Sequence, residues 1–65
     1  MIVGENLKRV QYGTVLRDSD GDYTVKEYLP YIPGYLVEFF DPYEGKIVDC
    51  VLTVADIKRS TVVDW

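Results

Sequence analysis

Apolar and polar positions alternate in short runs along this chain, and glycine, proline and aspartate interrupt the runs at close intervals. Val10–Leu16 (Val-Gln-Tyr-Gly-Thr-Val-Leu) is β-branched and aromatic and predicts a strand, with Gly13 inside it as the sign of a bulge or a close backbone approach. Asp20-Gly21, within Arg17–Asp22, predicts a hairpin turn, and Tyr23–Tyr28 predicts the returning strand. Leu29–Gly34 predicts a loop, because its two prolines cannot donate to a ladder. Tyr35–Phe40 is the clearest strand, Asp41–Gly45 turns the chain, and Lys46–Val54 runs back. Val54–Ile57 predicts one helical turn before a last strand at Ser60–Asp64. No segment sustains a helical period, so the chain is expected to be all-β with five strands.

The same alternation predicts a register. A loop at Asp41–Glu44, closed by Phe40 opposite Gly45, sets Val37 against Val48 and Tyr35 against Cys50, with Phe39 and Leu52 on the same side. That face carries no charge and reads as core. A slip of one residue would bring Asp49 onto it, which burial opposes. The other face is half polar: Leu36, Ile47 and Val51 alternate with Glu38 and Asp49. Two readings stand for it. Either an inserted hairpin or the curl of a closed barrel covers its apolar members, or they form a contact surface.

Size and composition then narrow the function. Sixty-five residues (7.5 kDa) make one domain, 1–65. A chain so short buries about 60% of the surface its unfolded form exposes, and many such domains depend on disulfides, a metal or oligomerisation. One cysteine makes no internal bridge, and Cys50, in an apolar stretch, is expected to be a small buried hydrophobe. With no histidine there is no Ser-His or Cys-His nucleophile and no imidazole ligand. A net charge of −4 and a pI near 4.5 argue against nucleic acid as partner, leaving Lys8-Arg9-Arg17 and Lys58-Arg59 as the basic clusters. Met1–Asn6 has neither a basic start nor an apolar run, and no stretch reaches membrane-spanning length. The expectation is a cytoplasmic protein with no membrane contact.

Leu7-Lys8-Arg9-Val10-Gln11-Tyr12-Gly13-Thr14-Val15 resembles the Leu-Lys-x-Gly-x-x-Gly-Thr-Val motif of small bacterial SH3-like barrel domains of unknown function. Val37-Glu38-Phe39, Gly45, Val51-Leu52-Thr53 and Ala55-Asp56-Ile57 resemble that family's later strands and turns. Val10 departs from the motif's first glycine, the segment before Leu7 is too short for a full first strand, and Asp18–Gly34 exceeds the usual connection. The resemblance implies a small five-stranded SH3-like barrel with an inserted hairpin or loop and a short helical turn before the last strand. Some such domains are encoded beside toxins, which implies immunity or antitoxin roles.

The candidate chemistry points to recognition. Asp18-Ser19-Asp20-Gly21-Asp22 opens like a calcium loop, but Tyr23 stands where the sixth-position glycine belongs and Leu29 where the bidentate glutamate belongs. It reads as a solvated hairpin tip. Glu38 and Asp49 are paired carboxylates that nothing separates into acid and base roles. A domain of this size is also expected to have little room for a pocket of several hundred cubic ångströms. The chain is therefore expected not to be an enzyme and to need no cofactor or metal. Tyr28–Tyr35, with Tyr28, Tyr31, Ile32 and Tyr35 around two prolines, is either a stiffened binding loop or a plug for one end of the barrel. Asp18, Asp20, Asp22, Glu38 and Asp49, taken with those aromatics, predict a basic protein partner. The leading expectation is an acidic module that inhibits or neutralises a larger protein, of immunity, antitoxin or phage anti-defence type. The alternative is an assembly protein that homo-oligomerises through the face carrying Leu36.

Overall fold

A computed structural model describes residues Met1–Trp65. Its strands are β1 (Val15–Asp18), β2 (Gly21–Leu29), β3 (Gly34–Asp41), β4 (Lys46–Thr53) and β5 (Thr61–Asp64), with one helix, α1 (Val54–Arg59), before the last. A 3-10 turn at Asn6–Arg9 precedes β1. All ladders are antiparallel, in the order β4-β3-β2-β1-β5. The all-β class, the five strands and the helical turn match the expectation. No helix is long and apolar enough to cross a membrane.

The sheet is not closed into a barrel, which corrects the expected closure. β4 and β5 are its two edges, and no ladder joins them. The outer side of β5 is already occupied by the start of the chain. Ile2 bridges Thr61, the Val62 N–H donates to the Met1 carbonyl at 2.6 Å, and the Val3 N–H donates to the Ser60 carbonyl at 2.9 Å. That segment takes the outer side of β5 at Thr61 and Val62, where β4 would otherwise pair.

The inserted hairpin is corrected as well. Asp18–Gly34 is not an excursion from the sheet: it supplies the β1–β2 turn, all of β2 and the turn into β3. β2 is the central strand because Tyr23 and Val25 are buried against β1 and β3. The first strand is shorter than expected, since Val10–Thr14 forms an irregular approach in which Gly13 takes a φ of 90°. There the Gly13 N–H donates to the Val25 carbonyl, and the Val25 N–H to that of Thr14.

The β3–β4 register lies two residues from the expected one. Asp41 pairs with Lys46, Val37 with Cys50 and Glu38 with Asp49. The cause is the Asp41 carboxylate, which accepts the Tyr43 and Glu44 N–H groups at 2.9 and 3.3 Å and makes Pro42–Gly45 the turn. Gly45 takes a φ of 67° there. A shift of two preserves the faces, so Tyr35, Val37, Phe39, Val48, Cys50 and Leu52 still share one side.

That side holds the core. Leu16, Tyr23, Val25, Tyr35 and Val37 meet Val3, Val10 and Ile57 in one cluster. Thr53 caps α1 in a reciprocal box: its hydroxyl accepts the Asp56 N–H, and the Asp56 carboxylate accepts the Thr53 N–H. This short stop carries Ile57 over the core before the chain turns into β5. The buried Ser60 hydroxyl donates to the Asp56 carbonyl, so the Tyr23 hydroxyl is the donor in the Tyr23–Ser60 hydrogen bond.

Candidate functional site

Because β4 has no neighbour on one side, its core face is left partly open. A cleft of about 620 Å³ lies between that face and the β1–β2 tip. Val37, Phe39, Cys50 and Leu52 floor it, Asp18, Asp20 and Asp22 stand on one rim, and Phe40, Asp41 and Tyr43 stand on the other. A smaller hollow of about 410 Å³ continues from Asp18 and Asp20 toward Asp56 and Arg59 of α1. The expectation of no room for a pocket is thus corrected, and the reason is the unclosed sheet. Cys50 is likewise only half-buried, in the cleft floor. Burial, then the charges of Asp18 and Asp49, push its thiol pKa up.

The tip is ordered by its own groups. The Asp20 N–H donates to the Asp18 carboxylate at 2.8 Å, and Gly21 takes a φ of 122°. Arg17 donates through Nε to Asp22 at 2.6 Å, and this hydrogen bond holds the Asp22 carboxyl below its ordinary value. Asp18, Asp20, Asp41 and Asp49 have no ion-pair partner. The nearby cations are engaged elsewhere: Lys46 with Glu44 at 2.8 Å, and Arg59 with Asp56 at 2.5 Å. No group of three carboxylate or thiol side chains has an arrangement that could hold a metal ion.

The expected Tyr28–Tyr35 loop is mostly strand. Tyr28 and Tyr35 are cross-strand partners with ring centroids 5.1 Å apart, and the turn between the strands is only Pro30–Pro33. Tyr35 is buried in the core, whereas Tyr31 is 81% exposed, Tyr28 is exposed and Ile32 lies at the margin of exposure. Plug and exposed surface are therefore divided among its residues. The acidic tip and the tyrosine turn are not neighbours, contrary to expectation. The nine residues of β2 separate them by about 30 Å at the usual strand rise.

The aromatics that do stand beside the tip are Phe40 and Tyr43, the latter 98% exposed. Neither was singled out from the sequence, although both flank an Asp-Pro turn, a position that leaves large side chains in solvent. On the sheet's other face, Leu36–Val51 and Phe40–Ile47 are cross-strand pairs separated by Glu38–Asp49. The expected cover over that face is absent: Ile47 and Val51 are exposed and Leu36 is half-exposed. Lys26, on a bulge in β2, reaches Glu38 at 3.4 Å and lies over the Tyr12 ring.

No protein-family model, curated protein or solved structure matches the chain.

Proposed function

We propose that this chain is a small acidic protein-binding module that inhibits or neutralises a larger protein with a basic surface. The observation that supports it is the cleft: an apolar floor, carboxylates without ion-pair partners on its rims, and two exposed aromatics alongside. Unpaired acidic groups around such a floor favour cationic side chains and speed the encounter with them. The cleft carries no activated nucleophile and no buried carboxylate, which favours binding over catalysis. The strand order and the helical turn before β5 support an SH3-like connectivity left open between β4 and β5. An immunity protein, an antitoxin or a phage anti-defence inhibitor working in the cytoplasm fits this description, with no cofactor and no nucleic-acid partner.

The test is capture from lysate at low salt, with an Asp18→Asn/Asp20→Asn variant as control. The captured protein is identified, and its activity is titrated with the chain. Loss of activity at stoichiometric chain, much weakened for the variant, is the expected result. A captured protein that stays fully active at saturation overturns inhibition, and equal capture by the variant overturns the charge argument.

A second reading is homo-oligomerisation through the outer sheet face, favoured by the exposure of Phe40, Ile47 and Val51 there. Light scattering that shows a stable oligomer at micromolar concentration would select it.

A further inference from the structure

The ladder between β3 and β4 identifies which backbone groups of β4 are free. The Val54 N–H donates to the Pro33 carbonyl, one step beyond the Gly34/Thr53 pair. Antiparallel pairs alternate, so Lys46, Val48, Cys50 and Leu52 exchange hydrogen bonds with β3. Ile47, Asp49 and Val51 therefore turn both N–H and C=O toward the empty side. No other bond in the structure uses these groups. The fourth outward N–H, that of Thr53, is taken by Asp56 in the helix cap. Edges of this kind are usually blunted by a bulge, a proline or a covering segment. β4 has no register shift and no proline, whereas β5 is covered by Met1–Gly4.

We propose that the basic partner supplies an extended segment that adds to β4 as a sixth strand, with lysine or arginine side chains toward Asp18 and Asp20 across the cleft. This rests on the protein-binding reading above and specifies how the cleft is used. Side chains of the added strand alternate between the faces. Those facing the core side lie beside Val48, Cys50 and Leu52, over the cleft that Asp18 and Asp20 border. Those on the other side oppose Ile47, Asp49 and Val51, an apolar–acidic–apolar row. The complementary segment is an apolar residue, three basic residues and an apolar residue. Charge argues for such a partner over a second copy of this chain. The antiparallel self-pairing that engages all three free residues sets Asp49 against its own copy, between two molecules of charge −4.

The probe is a capped peptide, lysine–valine–arginine–lysine–arginine–valine–lysine, followed by amide hydrogen exchange and NMR shifts on the whole chain. Saturating peptide is expected to slow exchange at Ile47, Asp49 and Val51 by at least about tenfold, the protection that strand pairing confers. Val51→Pro removes an edge donor that β3 does not use, so the fold survives while peptide affinity falls at least about tenfold. Ile47→Pro is the second such variant, should the first misfold. Asp18→Asn/Asp20→Asn is expected to weaken the peptide several-fold, an effect that salt erases.

Peptide binding without protection of the β4 amides overturns strand addition and leaves the basic-partner reading standing, as does capture of a basic protein undiminished by either proline variant. Protection that appears without peptide and grows with protein concentration identifies a second copy and overturns the proposal. A folded chain that shows no response to the peptide overturns it too.

Discussion

The Glu38–Asp49 pair gives the most direct test of the β4 register. The two carboxylates stand opposite each other in a non-hydrogen-bonded pair, where side chains approach most closely. Two unit charges about 5.5 Å apart in water repel by about 0.8 kcal/mol before screening. Lys26, 3.4 Å from Glu38, already offsets part of this. Asp49→Asn is therefore expected to stabilise the fold by about 0.3–0.6 kcal/mol, within the usual scale of a cross-strand pair. Asp49→Lys, which turns repulsion into attraction, should gain about 1 kcal/mol. Urea unfolding followed by Trp65 fluorescence reads this as a midpoint rise of about 0.3–0.6 M for the asparagine variant, at a slope near 1 kcal/mol/M. The gain should shrink sharply between about 20 mM and 1 M salt, where the screening length falls to about 3 Å. In the register two residues away, Asp49 faces Leu36 and the gain should vanish. An asparagine variant no more stable than the parent, or a gain indifferent to salt, would refute the pairing. The same substitution is expected to weaken a basic peptide, so stability and binding should move in opposite directions.

Three further outcomes follow from the core and caps. Ser60→Ala strands the buried Tyr23 hydroxyl and should cost about 1–3 kcal/mol, more than Tyr23→Phe at about 1 kcal/mol, because Ser60 keeps its bond to Asp56 in the latter; chemical denaturation showing the reverse order would refute the donor assignment. A Cβ on Gly34 would collide with the Leu52 carbonyl, so Gly34→Ala should cost about 1–3 kcal/mol in the same assay, and a neutral result would contradict the close approach. Hydrogen bonds from Thr53, aided by Arg59, hold Asp56 below the usual carboxyl value, and Arg17 does the same for Asp22. Both groups bind protons more weakly when folded, so their stabilisation is complete above about pH 4 and is lost as pH falls through the folded values. Asp22→Asn and Asp56→Asn should flatten the acid limb of a stability–pH profile, and an unchanged limb would count against these contacts.

Strand content was legible because Val, Tyr and Phe alternate with polar residues between Gly, Pro and Asp punctuation. The faces of β3 and β4 were legible for the same reason, since a two-residue error leaves them intact. What the alternation did not carry was the Asp41 side chain's grip on its own turn, which sets the register. Closure was illegible because it depends on Met1–Gly4 pairing with β5 from the other end of the chain, and nothing local to Ile2 or Val3 announces that contact. The cleft inherits that difficulty, being the space left where the sheet fails to close. Thr53-Val54-Ala55-Asp56, by contrast, is a capping box open to reading and explains why the predicted turn extends to Arg59. Of the candidate site, the acidic tip was visible as a composition. Its neighbours Phe40 and Tyr43 were not, because adjacency there depends on the length of β2.

Two kinds of connection hold this sheet together, and they set an order of assembly. β2, β3 and β4 join through four-residue turns, Pro30–Pro33 and Pro42–Gly45, between strands adjacent in the chain. β5 instead docks on β1 and on the chain's first residues, across nearly its whole length. Loop-closure entropy makes the short connections cheaper, so the meander forms early and the docking of β5 comes last. Pulsed hydrogen exchange during refolding should protect Val37 and Cys50 before Val62, and simultaneous protection would contradict this order. In that sequence of events the exposed edge of β4 exists before the core over Val3 and Ile57 is sealed. Newly made chains therefore present their most adhesive backbone while least folded, and Asp49 is the charge that keeps them apart.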